Sequence, residues 1–379
     1  MIKAHLKHHK LKPTALRGVA VLLGMLLSAC AGQSEVVQSY HAGEEQFQSG
    51  RYDEALQHYK AALVLSEEKN GSSNESTATI LNELATTYKT QGKYADAERL
   101  YKRSLKIREE IYGKTHPKLA ATLNKLAFLY RDQGKLKQAA PLYSRSFKIL
   151  KEIAGDDLET MKVLNNRVHI EIQLGNLPIA RSLLELGLAA REQKLGKSHP
   201  DVAEALINLA GLYIRQKDYK GAEPMVRRAL KIWTTKLGES HPKVSIALNN
   251  LGIIYKGQRK FLEAEPYYQQ ALEIRKKSYG PDDLAIADSL NNLASLRYRQ
   301  GRFIDAESLF KRALVIIKNS VGPTHRYYKR GVRKHAIVLR KLGREAEADS
   351  MLDSIKTKKD LIQQETDKKV QSSSEDSGS

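Results

Sequence analysis

Four histidines recur near prolines and are the residues with the clearest potential for metal chemistry. His116, His199 and His241 each precede a proline, and His325 stands at the corresponding place of a later segment. They are separated by 42 residues or nearly a multiple of it, so we expect them to lie along one edge of a repeated structure. A zinc site needs ligands about 2 Å from one ion. We therefore predict no metal site, and interpret Ser/Thr-His-Pro as a helix start capped by Ser or Thr, with Pro in the first turn.

Catalytic signatures are missing from the sequence. It contains no P-loop, no dinucleotide-binding glycine pattern, no HExxH and no nucleophile elbow. No nucleophile, base and orienting group can be recognised together. We expect neither catalytic residues nor a cofactor, and predict that the protein is not an enzyme.

A series of asparagines is the second set of residues with a defined chemistry. Nine of the twelve positions one or two residues after a recurring leucine hold Asn, namely Asn82, Asn124, Asn165, Asn166, Asn208, Asn249, Asn250, Asn291 and Asn292. Asn is a poor helix former, so its recurrence indicates an offsetting role. Because a carboxamide both donates and accepts hydrogen bonds, this row could grip the backbone of an extended peptide. Alternatively, each Asn bonds to the neighbouring repeat and sets the helical pitch.

Cations form a parallel series further along the same segments. Its members are Lys89, Arg131, Arg215, Lys256, Arg299, Arg340 and Lys341. One interpretation is a solvated helix end, where the helix dipole favours cations. The other is a border that selects acidic ligands, which the net charge of +20 favours. On this second interpretation Arg131, Arg215, Lys256 and Arg299 belong with the asparagines to a binding groove.

A repeat of about 42 residues must position these side chains. Glycines mark its register at Gly50, Gly92, Gly134, Gly175, Gly301 and Gly343, with Lys217 and Arg259 in the two intervening slots. Alanines recur in a second register and leucines in a third. Self-similarity at a fixed period is the signature of a repeat architecture.

The pattern of each repeat predicts two helices. Leu81, Leu84, Ala85 and Tyr88 form one apolar helical stripe, and a second stripe starts at Tyr94. Gly92 lies between the stripes, where a left-handed residue can end a helix. We therefore predict antiparallel helix pairs joined by tight turns.

This pattern resembles the tetratricopeptide repeat. Its length, with LNNLA (290–294), AEPYYQQALEI (264–274) and LGESHPKV (237–244), is similar to the kinesin light chain subgroup. The resemblance implies an all-α, right-handed superhelical solenoid of about eight helix pairs over residues 35–358, with least regular units at both ends. It also implies that first helices line the inner surface, with the slots after the leucine pointing inward.

Two sites depart from the regular pattern. In the third of the regular repeats, Arg167 and Glu171 take slots that hold Leu and Tyr in its neighbours. We expect either a rotated, kinked helix or an ion pair four residues apart lying against the helix seam. Trp233, the only tryptophan, packs in a helix seam or anchors an interface, and seam packing is the favoured interpretation.

The first 29 residues have the pattern of a signal peptide. Residues 1–17 are basic, an apolar run extends from Gly18 to Leu27, and small residues precede Cys30, the only cysteine. Leu27-Ser28-Ala29-Cys30 resembles the bacterial lipobox, which implies lipidation of Cys30, a short linker over 30–34 and an outer-membrane lipoprotein facing the periplasm. Residues 359–379 are predicted to be a polar, largely disordered tail.

These features together predict a lipid-anchored scaffold that binds an extended, acidic segment of an envelope protein. Export from the cytoplasm argues against nucleic acid as a partner, and the membrane is contacted through the lipid anchor only. Three alternatives remain open: an assembly factor for a pilus or secretion machine, an adaptor or regulator of cell-wall enzymes, and self-association through the outer surface.

Overall fold

The structure, a computed structural model, describes residues 35–155 and 157–356. The predicted signal peptide, Cys30, the linker over 30–34 and the predicted tail lie outside these residues. Within them, all regular structure is helical. The helices are α1 (35–48), α2 (Tyr52–Asn70), α3 (Glu75–Thr90), α4 (Tyr94–Tyr112), α5 (Pro117–Asp132), α6 (Leu136–Ala154), α7 (Leu158–Leu174), α8 (Leu177–Leu195), α9 (Pro200–Arg215), α10 (Tyr219–Leu237), α11 (Pro242–Gly257), α12 (Phe261–Ser278), α13 (Leu284–Arg299), α14 (Phe303–Val321), α15 (Arg326–Lys341) and α16 (Glu345–Asp353).

The sixteen described helices form eight consecutive pairs, each made of a first (A) helix and a second (B) helix. The A helices are the odd-numbered ones, and the turns between the two helices of a pair are short. The predicted all-α array of about eight helix pairs is confirmed. None of the described helices combines the length and apolarity that a membrane span requires.

The turn inside each pair contains a residue with left-handed backbone angles, as the recurring glycines predict. The six glycines of that register have φ between 73° and 81°. Lys217 and Arg259, which replace glycine there, adopt φ of 62° and 63°. After α9 the Lys217 N–H donates to the Ile214 carbonyl (3.0 Å) and the Asp218 N–H to the Tyr213 carbonyl (2.9 Å). This bond pattern is a Schellman motif, and it holds two side-chain-bearing residues in a conformation that glycine adopts without strain.

Small residues allow the two helices of a pair to approach closely. Ala85 and Ala97 are completely buried where α3 and α4 meet. On α11, a Cβ added to Gly252 would lie 2.6 Å from the Tyr268 ring of α12. The register of small residues is therefore a packing requirement.

An arginine at one position of the B helices joins a pair to the next at two places in the chain. Arg108 of α4 donates to Thr79 Oγ1 on α3 (3.0 Å) and to Thr122 Oγ1 on α5 (2.8 Å). In the same slot of α12, Arg275 donates to Ser245 Oγ on α11 (3.1 Å) and Ser289 Oγ on α13 (2.8 Å). A single buried guanidinium thus ties the A helices of two consecutive repeats together.

Trp233 of α10 occupies this same slot. Its side chain is 1% exposed, and its Nε1 donates to the Pro200 carbonyl at the start of α9 (3.1 Å). Of its two predicted roles, the structure therefore shows seam packing.

In the irregular repeat that contains Arg167 and Glu171, the structure shows the predicted ion pair. α7 is helical without interruption from Leu158 to Leu174. Arg167 Nε lies 3.8 Å from Glu171 Oε1, and Glu171 is buried. Asn176 also donates to Glu171 Oε2 (2.8 Å), so the buried carboxylate has two polar neighbours.

The chain divides into two compact units, and the division falls within α8 between Leu183 and Leu184. In the first unit the A helices α3 and α5 contact each other directly. In the second unit α11 contacts both α9 and α13. Each unit therefore has its own row of neighbouring A helices.

Candidate functional site

The four recurrent histidines are helix caps. The Nδ1 atoms of His116, His199, His241 and His325 accept from the backbone N–H two residues later, at 3.1–3.2 Å. The predicted helix start with Pro in the first turn is confirmed at Pro117, Pro200 and Pro242. The predicted Ser or Thr cap is wrong, because the histidine itself holds the N-cap position with extended backbone angles. Among the described residues, no group of three His, Cys, Asp or Glu side chains could hold a metal ion.

Positions that the core does not use recur along the A helices. We define the A-helix face by the positions one, two, five and eight or nine residues after the recurring leucine of each A helix. On α11 these positions hold Asn249, Asn250, Ile253 and Lys256, and all four are half-buried. Both the asparagine series and most of the cation series belong to this face.

Two asparagines of the series are covered by the next repeat. Asn82 is 3% exposed, and its Nδ2 donates to Thr122 Oγ1 on α5 (3.0 Å). Asn291 is 6% exposed, and its Oδ1 has no hydrogen-bond partner among the described residues. For Asn82 the structure supports the second interpretation, a bond between repeats.

The remaining asparagines are accessible. Asn249 and Asn292 are half-buried, and Asn292 Nδ2 donates to Asn249 Oδ1 (2.8 Å) across two consecutive repeats. This bond also joins two repeats, as the second interpretation expects, and it leaves the other amide atoms of the pair for a ligand. Among the rest, Asn165 and Asn208 are exposed, and Asn124, Asn166 and Asn250 are half-buried.

In the first unit, cations of the A-helix face surround an aromatic ring. The Nζ of Lys89 and the Cζ of Arg131 lie 4.1 and 3.9 Å from the centre of the Phe128 ring. Burial lowers the pKa of Lys89, and the charges of Arg131 and Lys125 add to this effect while Asp132 opposes it. Lys125 is paired with Glu83 of the preceding A helix (2.6 Å). The first unit therefore neutralises part of its positive charge internally.

In the second unit, the predicted cations have unequal surroundings. Arg215 and Arg299 are exposed, and Arg340 pairs with Asp349 of α16 at 2.7 Å. Lys256 is the most buried of them. Burial lowers its pKa to about 8, and the neighbouring Lys334 and Arg299 contribute further.

Lys334 is a residue of this face that the sequence analysis missed. It lies two residues after Val332 on α15, the slot that Asn250 and Asn292 occupy on α11 and α13. Burial lowers the pKa of Lys334, and the nearby charge of Arg330 lowers it further. The charge of Asp288 has the opposite effect. Positions 250, 292 and 334 are 42 residues apart, and this spacing in the sequence could have identified Lys334 as part of the face.

The polar groups of the A-helix face have the chemistry to hold a peptide. Amides at neighbouring repeats can hold a peptide backbone, and cations beside them can attract acidic side chains.

Comparison with protein families agrees with this architecture. The tetratricopeptide repeat model matches residues 38–110, 76–152, 159–235, 201–277, 243–316 and 285–354. These overlapping matches span nearly the whole described chain. Comparison with curated proteins gave no match.

Two solved structures similar to this chain share its fold. A tetratricopeptide repeat protein from Parabacteroides merdae aligns with 20% identity over 76% of this chain and 96% of its own, with a TM-score of 0.52. A signal transduction ATPase with a tetratricopeptide repeat sensor from Pyrococcus horikoshii aligns with 17% identity over 80% of this chain and 43% of its own, at a TM-score of 0.50. A putative kinesin light chain from Podosopora anserina is 17% identical over 65% of this chain and 98% of its own, but its TM-score is 0.35. The kinesin light chain subgroup therefore stays a prediction.

Proposed function

The chain belongs to the tetratricopeptide repeat family, whose repeats bind protein or peptide partners, and on this premise we propose a lipid-anchored scaffold of the bacterial cell envelope. It holds an extended segment of an envelope protein along its A-helix face. The protein is tethered through Cys30 to the outer membrane and faces the periplasm. Proteins built from these repeats are generally scaffolds without catalytic activity.

The accessible amides of the A-helix face carry this proposal. The amides of Asn249 and Asn292 are hydrogen-bonded across two repeats at 2.8 Å, so these two amides lie side by side on adjacent A helices. The exposed Asn208 and half-buried Asn250 extend this row within the second unit. A row of donors and acceptors on adjacent helices matches the repeating backbone of an extended peptide.

Site-specific photocrosslinking in cells tests the binding face. A photoreactive amino acid is placed at Asn208 or Asn250, and at the exposed Lys231 of α10 as a matched B-helix control. We expect the same envelope protein to be captured from both A-helix positions and not from the control. Adducts of equal yield at all three positions, or none at either asparagine, would refute the binding face.

The anchor is tested separately. We expect metabolic labelling with a palmitate analogue to mark the chain, and Cys30→Ser to abolish both the label and sedimentation with outer membranes. An unlabelled wild-type chain in the cytosol would exclude this part of the proposal while leaving the scaffold in place.

A further inference from the structure

A buried histidine lies in the last described helix pair. His335 of α15 is 4% exposed, and neither of its ring nitrogens has a hydrogen-bond partner among the described residues. A neutral imidazole has one donor and one acceptor, whereas both nitrogens of the protonated ring are donors. Burial without a partner costs free energy for a neutral polar group and far more for a charged one. His335 therefore fits its surroundings only in the neutral form.

The same slot holds leucine in five other repeats. It lies three residues after the recurring leucine of the A helix, a position that Val332 takes on α15. These five leucines are buried, with exposures between 0% and 7%, namely Leu84, Leu126, Leu209, Leu251 and Leu293. His335 thus places a titratable ring where the other repeats pack a hydrocarbon side chain.

The charged groups that face His335 come from every element packed around it. α15 contacts α14 and α16, and the charges acting on the ring are those of Glu307 and Lys311 of α14, Arg344 of the turn and Glu347 of α16. The two carboxylates are already engaged, because Arg344 donates to Glu307 (2.7 Å) and to Glu347 (2.9 Å). Burial lowers the pKa of His335 and outweighs the two carboxylates, while Arg344 and Lys311 lower the pKa further.

The pair α15–α16 is weakly held compared with the inner pairs. Its contacts with the rest of the described array come mainly from the packing of α15 against α14. α16 has nine residues, Glu345–Asp353, and is the shortest of the described helices. In a repeat array each unit is stabilised by its neighbours, so a unit with one neighbour opens at a lower free energy than an inner unit. Opening of this pair would expose His335 to water without unfolding the inner repeats.

We propose that α15–α16 is a pH-sensitive end of the described array, which opens when His335 takes up a proton. In the open pair the ring is hydrated and has an ordinary pKa of about 6.5. The ring stays neutral in the closed pair, so the open form binds more protons below that pH. The equilibrium between the closed and the open pair therefore shifts toward the open pair as the pH falls through about 6.5.

Opening of the pair changes the A-helix face. α15 contributes Lys334, which is half-buried, and Ile337, which is 50% exposed, to this face. At neutral pH these side chains continue the face of α13, and on acidification they leave it. The inference goes beyond the proposed function, because opening of the pair does not depend on which ligand binds to the face.

Hydrogen exchange of the full-length chain in detergent micelles, measured by mass spectrometry at pH 7.5, 6.5 and 5.5, tests this device. Division by the intrinsic exchange rate at each pH gives the opening equilibrium of each helix. α11 is the internal reference, because His241 caps it as His325 caps α15, while Leu251 fills its core slot. Circular dichroism verifies that each variant is folded.

The test variants are His335→Leu, which installs the residue of the other repeats, and His335→Met. The matched control is His325→Asn, which removes the other histidine of this pair and keeps a side chain that can cap the helix. The wild-type chain itself provides the test if neither His335 variant folds, through the comparison of α15 with α11 and the behaviour of His325→Asn.

We expect the opening equilibrium of α15 in the wild-type chain to rise about tenfold relative to α11 between pH 7.5 and 5.5, as one histidine that titrates only in the open form requires. Asp and Glu stay largely ionised over this window. The rise should vanish in both His335 variants and persist in His325→Asn. A pH-independent α15 in the wild-type chain, a rise that survives in the His335 variants, or a rise lost in His325→Asn would overturn the proposal.

Discussion

The Nζ of Lys256 lies 5.5 Å from the centre of the Tyr268 ring. An aromatic face stabilises a cation only weakly compared with a carboxylate, and the other charges that act on Lys256 are the cations Lys334 and Arg299. The free protein thus holds Lys256 in surroundings that disfavour its charge.

This relationship predicts a pH-dependent stability. The pKa of Lys256 falls from its ordinary value of 10.5 to about 8 on folding, so the unfolded chain binds more protons between these values. The free energy of unfolding should therefore rise with pH across that window. Lys256→Met should remove this rise and stabilise the protein at pH 7 by about 1 kcal/mol, since it removes an uncompensated cation.

Urea denaturation at pH 7, 8.5 and 10 measures the difference between Lys256→Met and wild type. Lys231→Met, which removes an exposed charge, serves as the control. A difference from wild type that does not change with pH would contradict the lowered pKa of Lys256.

The left-handed turns predict two stabilising substitutions. Lys217 and Arg259 have φ of 62° and 63°, where the other turns carry glycine. Replacing either with glycine relieves the strain of the left-handed backbone, but it also increases the conformational entropy of the unfolded chain. Because the first effect is larger, each change should stabilise the protein by about 0.5–1 kcal/mol. Thermal unfolding measures the effect. Gly301→Lys is the reverse control, and a gain of stability there would disprove the explanation.

The seam arginine predicts a large loss of stability. Arg108 is buried and bonded to Thr79, Thr122 and Glu75. Arg108→Met removes one donor from each of these groups, of which Thr122 keeps Asn82 and Glu75 keeps Lys118. The change should cost about 2–3 kcal/mol, because it removes a buried charge that joins three partners. Arg103, on the same helix as Arg108, forms a half-exposed ion pair with Glu67 of α2. Arg103→Met removes this pair and should cost less than about 1 kcal/mol. Equal losses by urea denaturation would show that Arg108 does not join the repeats.

The asparagines should separate into two groups. Asn82→Ala removes a bond between repeats, and Asn291→Ala removes a buried side chain. Each change should destabilise the protein by about 1–2 kcal/mol. Asn208→Ala and Asn250→Ala should leave stability within about 0.5 kcal/mol of wild type but weaken partner capture. Chemical denaturation and crosslinking yield, measured on the same four variants, test this division. It fails if the two pairs behave alike.

Much of the fold could be predicted from the sequence because its determinants are local. The apolar stripe of Leu81, Leu84 and Ala85 defines a helix within a few turns, and Gly92 marks its end. The 42-residue register then repeats this unit, so helix pairs, turns and small-residue contacts all follow. The same local pattern led to a wrong prediction of the helix caps. The Ser or Thr lies one residue before the cap, and the histidine that follows it caps the helix by accepting a backbone N–H at its Nδ1.

The repeat period, the paired helices and the polar candidates on the A helices can all be read from the amino-acid sequence. The packing of the repeats was needed to show that Asn82 and Asn291 are covered while Asn208 and Asn250 are accessible. It also decided that Lys334 acts on Lys256 from a helix two repeats away. The physical reason is that helical periodicity specifies which side of its own helix a residue occupies, whereas burial and charge coupling depend on how neighbouring repeats pack against that side.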